Sequence, residues 1–455
     1  MKTFHTSYIL SAVILLAACS KKLDVKPNQA LVIPKTLADY QLIEDAGIGT
    51  GTVLGEKEAD NYFVLDTRYA ALPAINQSFY TWGKDYTIPS GSTPTDWTAN
   101  YNRVMVSNSV LEGIANIDPA SDPDSYNNVS GTAYFGRAHA LFALAQIFCK
   151  QYDSTTASTD PGIPLRLSSD INDPAIGRST VQKLYDQIIA DATLAESRLP
   201  KLSAYKMRPI KSAAAALLAR AYLVTRQFEK ARMHADTALL YYNTLLDYNT
   251  LTASAANPIP GYNAEVIFHA DGVFGGSTSV TFLNNFFVDS NLYKSYNNND
   301  LRKTCFYKVE TTGLISYKGS YGGNTTLLWF TGIATDEVYF TRAECRARAG
   351  DVSGAMADVN TVLAKRFKTG TFVPLTAATP QAALAIVFQE RRKELVFRGL
   401  RWMDLRRLNL ETAYTTTLSR TIAGQTYTLP PNDNRWVLPI PADEIFYNPM
   451  PQNPR

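Results

Sequence analysis

The chain has 455 residues, of which 45% are hydrophobic and 19% charged, so it can fill a large core and is neither predominantly disordered nor a coiled coil. Lys and Arg total 44 against 41 for Asp and Glu, a net charge of +3. This near balance gives no electrostatic basis for binding nucleic acid, and no nucleic-acid partner is expected.

The N-terminus has the features of a bacterial export signal. Lys2 precedes a short apolar run, Tyr8 to Leu16, which is too short to cross a bilayer as a helix. The four residues Leu16-Ala17-Ala18-Cys19 resemble a lipobox, in which the cysteine becomes the acylated first residue. We therefore expect a signal peptide over 1–18, lipidation at Cys19 and a tether over 19–37. An ordinary secretory signal with an incidental cysteine is the alternative.

The remaining cysteines and the histidines do not form a recognisable chemical motif. Cys149, Cys305 and Cys345 lack the spacing of a zinc ribbon or a redox C-x-x-C, and they are expected to be buried apolar residues. Whether any two of them pair is left open. The chain has only four histidines, and it contains no H-E-x-x-H, G-x-S-x-G or Walker sequence. No metal site, cofactor or catalytic residue is predicted.

Hydrophobic periodicity predicts a mainly α-helical protein. A short helix is expected over 38–46, whereas 47–96 is rich in Gly, Pro, Asp and aromatic residues and predicts long loops. Helical spacing returns over 97–117 and 131–150. The segment 181–195 carries apolar residues at offsets of three and four, which is typical of an amphipathic helix.

Two later segments fit the tetratricopeptide pattern, in which small residues let antiparallel helices approach closely. The first consists of Leu218, Ala219, Tyr222, Ala231, Ala235 and Ala238, and the second of Tyr339, Ala343, Gly350, Asp351 and Ala355. The equivalent residues Ala231 and Ala355 are 124 positions apart, which is not a multiple of the roughly 34-residue repeat. The spacing therefore predicts two repeat units separated by an insertion.

The insertion, about 246–335, is rich in glycine and aromatic residues and is predicted to be an irregular lobe with short strands. The expected organisation is one domain over 38–455. Its helical scaffold would occupy about 97–245 and 336–410, and a C-terminal tail would occupy 411–455.

The densest charge run lies over 390–407. Apolar residues are threaded through it, and Glu394 and Arg398 have the spacing of a helical ion pair. Ion pairs that fix a helix and the following turn to the scaffold are therefore favoured over a nucleic-acid patch.

Taken together, these motifs resemble the SusD/RagB family of nutrient-binding lipoproteins from Bacteroidetes. Besides the lipobox and the repeat helices, the resemblance rests on K-K-L-D-V-K-P at 21–27, G-E-K-E-A-D-N-Y-F at 55–63, W-T-A-N-Y-N-R-V at 97–104, E-R-R-K-E-L-V-F-R-G-L-R-W-M-D-L-R-R at 390–407 and L-P-I-P-A-D-E-I-F-Y-N-P at 438–449. It implies a tetratricopeptide-like helical-pair scaffold with an irregular, loop-rich ligand-binding lobe.

The resemblance also implies a function. Such proteins are not enzymes; they sit on the outer membrane, bind a nutrient that is usually a glycan, and deliver it to a SusC-like TonB-dependent transporter. Surface-exported members often carry acidic residues after the lipidated cysteine, whereas Ser20-Lys21-Lys22 follow here. A cell-surface position is expected, with a periplasmic position as the alternative.

Binding residues are expected in the two aromatic, loop-rich stretches 60–101 and 246–335, because loops on a rigid frame commonly carry binding groups. Trp97 is excluded, since a W-x-x-x-Y pattern within a helix indicates core packing. The candidates combine rings that can hold a sugar face with polar groups that can bind hydroxyls: Asp60, Asp66, Arg68, Trp82 and Tyr86 in the first stretch, and Tyr296, Asn297, Asp300 and Trp329 in the second.

Three alternatives remain open from the sequence. The nutrient could be a peptide or another compound instead of a glycan, since the same residue types would bind it. The protein could also be a secreted glycoside hydrolase, which needs a suitably spaced pair of carboxyl groups in a cleft. A pure assembly scaffold would bind no small molecule.

Overall fold

The computed structural model describes residues 33–47, 51–84, 87–88, 90–91, 95–174, 176–273, 286–323 and 328–455. Within these ranges the protein is mainly helical, as predicted. The α-helices are α1 (Leu37–Ala46), α2 (Leu54–Glu58), α3 (Asp66–Ala70), α4 (Ala74–Tyr80), α5 (Thr95–Ile114), α6 (Pro123–Phe148), α7 (Val181–Arg198), α8 (Lys211–Val224), α9 (Phe228–Tyr241), α10 (Ser290–Lys294), α11 (Arg302–Cys305), α12 (Thr335–Arg348), α13 (Val352–Leu363), α14 (Pro380–Glu394), α15 (Arg401–Leu408) and α16 (Ala442–Tyr447).

The long helices form a stack because their contact faces carry small residues. Ala231, Ala235 and Ala238 of α9 are fully buried, which brings α9 close to α8 as the alanine spacing predicts. The second predicted pair is α12 and α13, joined by a turn in which Gly350 has φ 85°. Helix α9 also packs on α12, so the two pairs are neighbours in space although an insertion separates them along the chain.

Local signals explain where several helices begin. Thr180 accepts a hydrogen bond from the backbone N–H of Lys183 and so caps α7. Asp122 and Thr379 cap α6 and α14 in the same way, and each is followed by a proline, which is favourable at the first helical position because it has no N–H to leave unsatisfied.

The strands form six antiparallel two-stranded ribbons in the described part of the chain. All are short, and four of the six arise wholly or partly from the insertion between α9 and α12. The strands are β1 (Tyr62–Val64), β2 (Pro161–Pro164), β3 (Arg178–Thr180), β4 (Val266–Phe268), β5 (Asp271–Val273), β6 (Phe286–Val288), β7 (Tyr307–Val309), β8 (Ile315–Tyr317), β9 (Leu328–Phe330), β10 (Ile333–Ala334), β11 (Leu418–Ile422) and β12 (Gln425–Leu429); the pairs are β1–β6, β2–β3, β4–β10, β5–β9, β7–β8 and β11–β12.

The segment 47–96 is more regular than the sequence predicts. It contains α2, β1, α3 and α4, and every residue of α2 is buried. Each of these elements is too short to show a period in the sequence, and they are ordered by long-range contacts: α2 packs on α15, and β1 pairs with β6.

The charged segment 390–407 has the predicted structural role. Arg391 forms an ion pair with Asp404, and Arg407 binds Glu344 through both Nη atoms at 2.6 and 2.7 Å. All of these side chains are buried.

The predicted Glu394–Arg398 ion pair is wrong, because α14 ends at Glu394 and the chain reverses through Phe397 and Gly399, with φ of 57° and 73°. Glu394 instead binds Arg302 and Arg366, and Arg398 binds Asp336.

The three cysteines are free and buried. Burial raises the pKa of Cys149 to about 12 and that of Cys305 to about 11, so both are neutral thiols that pack as apolar groups. The prediction that the cysteines are buried apolar residues is confirmed.

Candidate ligand-binding groove

The two aromatic stretches proposed to bind ligand meet in a β-ribbon. Strand β1 pairs with β6 in the antiparallel register Tyr62↔Val288, Phe63↔Phe287 and Val64↔Phe286. Tyr62, Val64, Phe286 and Val288 face the core, whereas Phe63 and Phe287 lie on the opposite face and are half-buried. Their ring centroids are 6.0 Å apart, so the ribbon presents a partly exposed aromatic pair.

A groove of about 360 Å³ lies beside this ribbon. It is formed by four separate parts of the chain: the segment around β1 and α4, the start of α10, the end of α14, and β11. Its lining residues are Asp60, Tyr62, Phe63, Val64, Tyr80, Trp82, Asp289, Asn291, Arg392, Leu418, Ser419, Arg420 and Thr421.

Arg420 lies under the groove within a set of aromatic rings. Its guanidinium carbon is 4.0 Å from the ring centroid of Tyr80, 4.5 Å from that of Trp82 and 5.1 Å from that of Tyr62. The guanidinium donates to the backbone carbonyls of Tyr80 and Ala59. The guanidinium loses its hydrating water on burial, and the cation–π contacts and carbonyl acceptors compensate for that loss.

Asp60 is held at the edge of the groove by two arginines. Arg401 donates to both carboxylate oxygens at 2.7 and 2.9 Å, and Arg392 Nη2 lies 3.3 Å from Oδ2. Burial alone would raise the pKa of Asp60, but the two guanidinium groups outweigh it and lower that pKa below its usual value. Asp60 is therefore a fixed hydrogen-bond acceptor.

The pKa of Arg392 is lowered as well, and its side chain is partly accessible. Burial, together with repulsion from Arg401, lowers the pKa of Arg392. Its side chain is still 25% exposed, so it can donate to a ligand in the groove.

On the other side of the groove, Asp289 caps α10 by accepting from the N–H of Leu292, which fixes its carboxylate beside Asn291. The groove thus combines acceptors, donors and aromatic rings within a small volume.

The structure places the predicted binding residues in different environments. Asp60 and Trp82 both line the groove, whereas Asp66, Arg68 and Asn297 are exposed outside it. Cys19 and Tyr86 lie outside the described residues.

The expectation that Trp82 and Trp329 present exposed rings is wrong. Trp82 is 1% exposed, and its indole N–H donates to the carbonyl of Glu58 at 3.0 Å. Trp329 is 5% exposed and packs against Phe286 and Phe397. Trp82 belongs to the main hydrophobic core, and Trp329 belongs to a second core that includes much of the lobe.

Tyr296 and Asp300 are also buried and have structural partners. The hydroxyl of Tyr296 donates to the carbonyl of Lys393 at 2.7 Å. Asp300 binds Arg302 at 2.7 Å in a network in which Arg302 also contacts Glu390 and Glu394. These two side chains hold the lobe to α14, and the expectation that they face a ligand is wrong. Trp97, which was excluded as a core residue, is 3% exposed.

Several groups at the groove were missed by sequence reasoning. Phe63 and Phe287 alternate with buried neighbours in the folded ribbon, but both strands are apolar throughout in the sequence, so no period of two marks these residues there. Arg392 and Arg420 had no local signal either, because their position depends on how α14 and β11 pack against the N-terminal segment.

Within the described ranges, no helix is long and apolar enough to span a membrane.

Comparison with known families matches nearly the whole chain. A family model described as "starch-binding associating with outer membrane" matches residues 21–223, and the SusD family model matches residues 253–455. The chain belongs to the SusD/RagB family.

Individual relatives have low sequence identity to this chain, but the alignments with them cover most of both chains. A SusD-like protein, P2, from Formosa agariphila is 23% identical, with 82% of each chain covered. A putative sugar binding protein from Bacteroides vulgatus has a similar fold, with a TM-score of 0.72 and 22% identity, covering 93% of this chain and 99% of that one. A surface glycan-binding protein A from Bacteroides fluxus gives a TM-score of 0.69 at 17% identity, covering 92% and 100%.

Proposed function

We propose that this protein binds a glycan in the groove beside β1 and β6 and delivers it to a SusC-like TonB-dependent transporter. The observation that carries the proposal is the half-buried pair Phe63–Phe287 next to a groove that offers carboxylate, amide and guanidinium groups. Aromatic faces hold the apolar face of a sugar ring, and the polar groups bind its hydroxyls. Family membership and the names of the sugar- and glycan-binding neighbours support the same ligand class.

The charge state of Asp60 favours binding over catalysis. A glycoside hydrolase needs a carboxylic acid whose pKa is raised so that it can protonate the leaving group. Asp60 has the opposite shift, because Arg401 and Arg392 stabilise its ionised form. Asp60 is therefore unsuited to that acid role, which supports our proposal, made from family membership, that the protein is not an enzyme and needs no cofactor.

The remaining parts of the proposal concern position and partner. A signal peptide over 1–18 and an acylated Cys19 would hold the domain at the outer membrane, facing the cell surface. There it would hand its ligand to the transporter. These statements follow from the sequence motif and from the properties implied by the family.

Binding is tested with the soluble protein, starting at Lys21, against immobilised polysaccharides, oligosaccharides and oligopeptides. For the ligand that is found, we expect a dissociation constant weaker than about 10 µM, since immobilising a flexible ligand offsets much of the contact energy. The double variant Phe63→Ala/Phe287→Ala should weaken binding by at least about tenfold, a loss of ~1.4 kcal/mol. Asn291→Ala tests the polar side of the groove in the same way.

Phe446→Ala is the matched control, because Phe446 is 76% exposed and does not line the groove. It should leave affinity unchanged. Equal affinity in the double variant and this control would place the site elsewhere. Binding of oligopeptides alone would assign the nutrient to peptides, and the absence of any ligand would favour an assembly scaffold.

A further inference from the structure

The loop that joins α7 to α8 carries a local excess of positive charge. The fourteen residues from Arg198 to Lys211 include five basic residues and no Asp or Glu, whereas the whole chain has nearly equal numbers of the two kinds of charge. These five residues form the basic patch: Arg198, Lys201, Lys206, Arg208 and Lys211. Its effect on a partner depends on how the side chains are arranged in space.

Tyrosine rings at the end of α9 bring three of the cations together. The Nζ atoms of Lys201 and Lys211 lie 5.6 and 6.0 Å from the ring centroid of Tyr241. Lys206 Nζ lies 4.4 Å from the ring centroid of Tyr242, and it also donates to the hydroxyl of that ring and to a backbone carbonyl, both at 2.7 Å. Cation–π contacts therefore hold three ammonium groups at one end of α9.

Most of the charge in the basic patch is not neutralised by ion pairs. Among the described residues, no Asp or Glu oxygen lies within 4.0 Å of any of the five cations except Arg208. Arg208 donates from Nε to Asp45 Oδ1 at 2.9 Å. Glu196, the acid that most closely precedes the patch in the sequence, lies 3.3 Å from His234 Nδ1 instead. Four cations thus remain available to an anionic partner.

Acidic residues mark one limit of the basic patch. Arg208 and Lys35 line a groove that Asp122 lines as well. Asp122 caps α6, and the neighbouring residues Asp118 and Asp124 are exposed. The surface therefore carries excess positive charge from Arg208 towards α9 and excess negative charge at the start of α6. Such an asymmetry favours one orientation against an anionic surface.

Exposed apolar side chains lie within the same loop. Leu202 is 73% exposed and Tyr205 is 63% exposed, and the ring centroid of Tyr205 lies 5.0 Å from the guanidinium carbon of Arg208. Leu and Tyr flanked by cations are typical of surfaces that lie at a membrane–water interface, where apolar groups enter the interfacial layer and cations meet lipid phosphates. An acidic polysaccharide would use the cations but would leave Leu202 in water.

The basic patch also lies beside the start of the described chain. Ile33 is the first described residue, and Lys35, two positions later, shares a groove with Arg208. Cys19, the proposed lipid anchor, precedes Ile33 by 14 residues, which can span at most about 50 Å. An acyl chain on Cys19 would therefore keep the patch within reach of the bilayer surface.

We propose that the basic patch docks on the phosphate-bearing surface of a lipid bilayer and so orients the domain on the membrane. The inference rests on the proposed function only for the position at the outer membrane. Each Lys or Arg near an anionic bilayer strengthens association by about fivefold. Contact of this strength orients an anchored domain but is reversible, so a protein without acyl chains is still released from membranes.

The test is co-sedimentation of the soluble protein, starting at Lys21, with lipid vesicles at an ionic strength of about 0.01 M, where the screening length is about 30 Å. Vesicles made of equal parts of phosphatidylcholine and phosphatidylglycerol should bind the protein, and vesicles of phosphatidylcholine alone should not. Binding should be lost at about 1 M salt, where the screening length falls to about 3 Å.

Two variants remove parts of the patch. Arg198→Gln/Lys201→Gln/Lys211→Gln removes three positive charges and should weaken binding to the mixed vesicles by at least about tenfold. Leu202→Ser leaves the charge unchanged and should weaken binding by about threefold, because it removes an apolar side chain from the interface. Both variants change side chains outside the buried core, so their thermal unfolding should match that of the unmodified chain.

The matched control is Lys183→Gln/Lys294→Gln/Lys368→Gln. It removes the same three charges from exposed positions outside the patch, and it should bind the vesicles like the unmodified chain. Lys21 and Lys22 are present in every variant, so the difference between the two triple variants reports the patch alone.

The proposal is overturned if the protein does not bind the mixed vesicles at low salt, or if the control variant loses as much affinity as the patch variant. Retention on immobilised polygalacturonate without binding to vesicles would also overturn it and would assign the patch to acidic polysaccharides. Failure here is separable from failure of the glycan groove, because Phe63→Ala/Phe287→Ala should bind vesicles normally. It is also separable from failure of lipid anchoring, since vesicle binding needs no acyl chain.

Discussion

Burial decides the role of individual aromatic residues in this protein. Trp329 lies among Phe286, Tyr317 and Phe397, with ring centroids 5.2–6.0 Å away. Phe63, in contrast, is half-buried at the groove. An aromatic side chain therefore stabilises the lobe at one position and is partly exposed beside the groove at the other.

Trp329→Ala should lower the free energy of unfolding by about 3–5 kcal/mol, because it removes a large buried ring and leaves a cavity. Urea denaturation measures the loss. Phe63→Ala serves as the comparison and should cost much less, since its ring is already partly in contact with water. Similar stabilities for the two variants would show that Trp329 is not a core residue.

Glu56 is a buried carboxyl group without an arginine or lysine partner within 4.0 Å among the described residues. It accepts from the N–H of Gly399 at 3.1 Å and from Asn61 at 3.4 Å. Burial raises the pKa of Glu56 to about 7. Since the ordinary value is 4.5, the folded protein holds this proton more tightly than the unfolded chain does.

The contribution of Glu56 to stability should be complete below about pH 4.5 and should be lost as the pH rises through about 7. Glu56→Gln, which mimics the protonated group, should therefore flatten the pH dependence of stability between these values. Thermal unfolding across this range is the measurement, with Glu444→Gln as the control for a partly exposed carboxyl group. An unchanged slope in Glu56→Gln would show that Glu56 is ionised throughout.

At the scale of elements, ion pairs join α14 and α15 to the repeat helices. Arg407 of α15 binds Glu344 of α12 through two hydrogen bonds and Asp404 through a third. Arg366 likewise joins Glu394 of α14 to Glu265 at the start of the lobe. The stacked helices and the lobe are thus connected through buried charges whose loss would leave a partner unpaired.

Arg407→Met should destabilise the protein by about 3–5 kcal/mol, because Glu344 would keep a buried charge with fewer partners. Arg232→Met is a matched control: Arg232 also pairs with two carboxylates, but it is 33% exposed. Its loss should cost less than about 1 kcal/mol, as is usual for surface pairs. Chemical denaturation of both variants compares the two costs directly.

At the scale of the whole molecule, we propose that attachment to the membrane depends on Cys19. Cys19→Ala should release the protein from the membrane fraction, because acyl chains on that residue are the anchor that the sequence predicts. Fractionation is best performed in cells that lack the transporter, so that binding to it does not retain the variant. Retention of Cys19→Ala in the outer membrane of such cells would contradict lipid anchoring.

A stable complex with a SusC-like barrel is expected on the basis of the family. The interface should exceed roughly 2,000 Å², as in obligate assemblies. Extraction in mild detergent through a tag on this chain should recover the barrel in stoichiometric amount, and the Cys19→Ala protein should still bind it. Repeated recovery of this chain alone would argue against a stable complex.

The features of this protein that could be predicted were those marked by a local pattern in the sequence. The alanine spacing in α8 and α9 predicts their close packing, because every third or fourth residue of a helix lies on the same face. The sequence motifs over 390–407 and 438–449 likewise identified the family, which the models covering 21–223 and 253–455 confirm.

The grooves were decided only by the tertiary structure. Asp60, Asp289, Arg392 and Arg420 come from four distant parts of the chain, and no local pattern indicates that they meet. Trp82 and Phe63 have the same local character in the sequence, yet one ring is buried and the other is half-buried. Helix formation depends on neighbours within a few positions, whereas burial depends on which remote segments fold over a side chain, and that is why the scaffold was predictable and the binding surface was not.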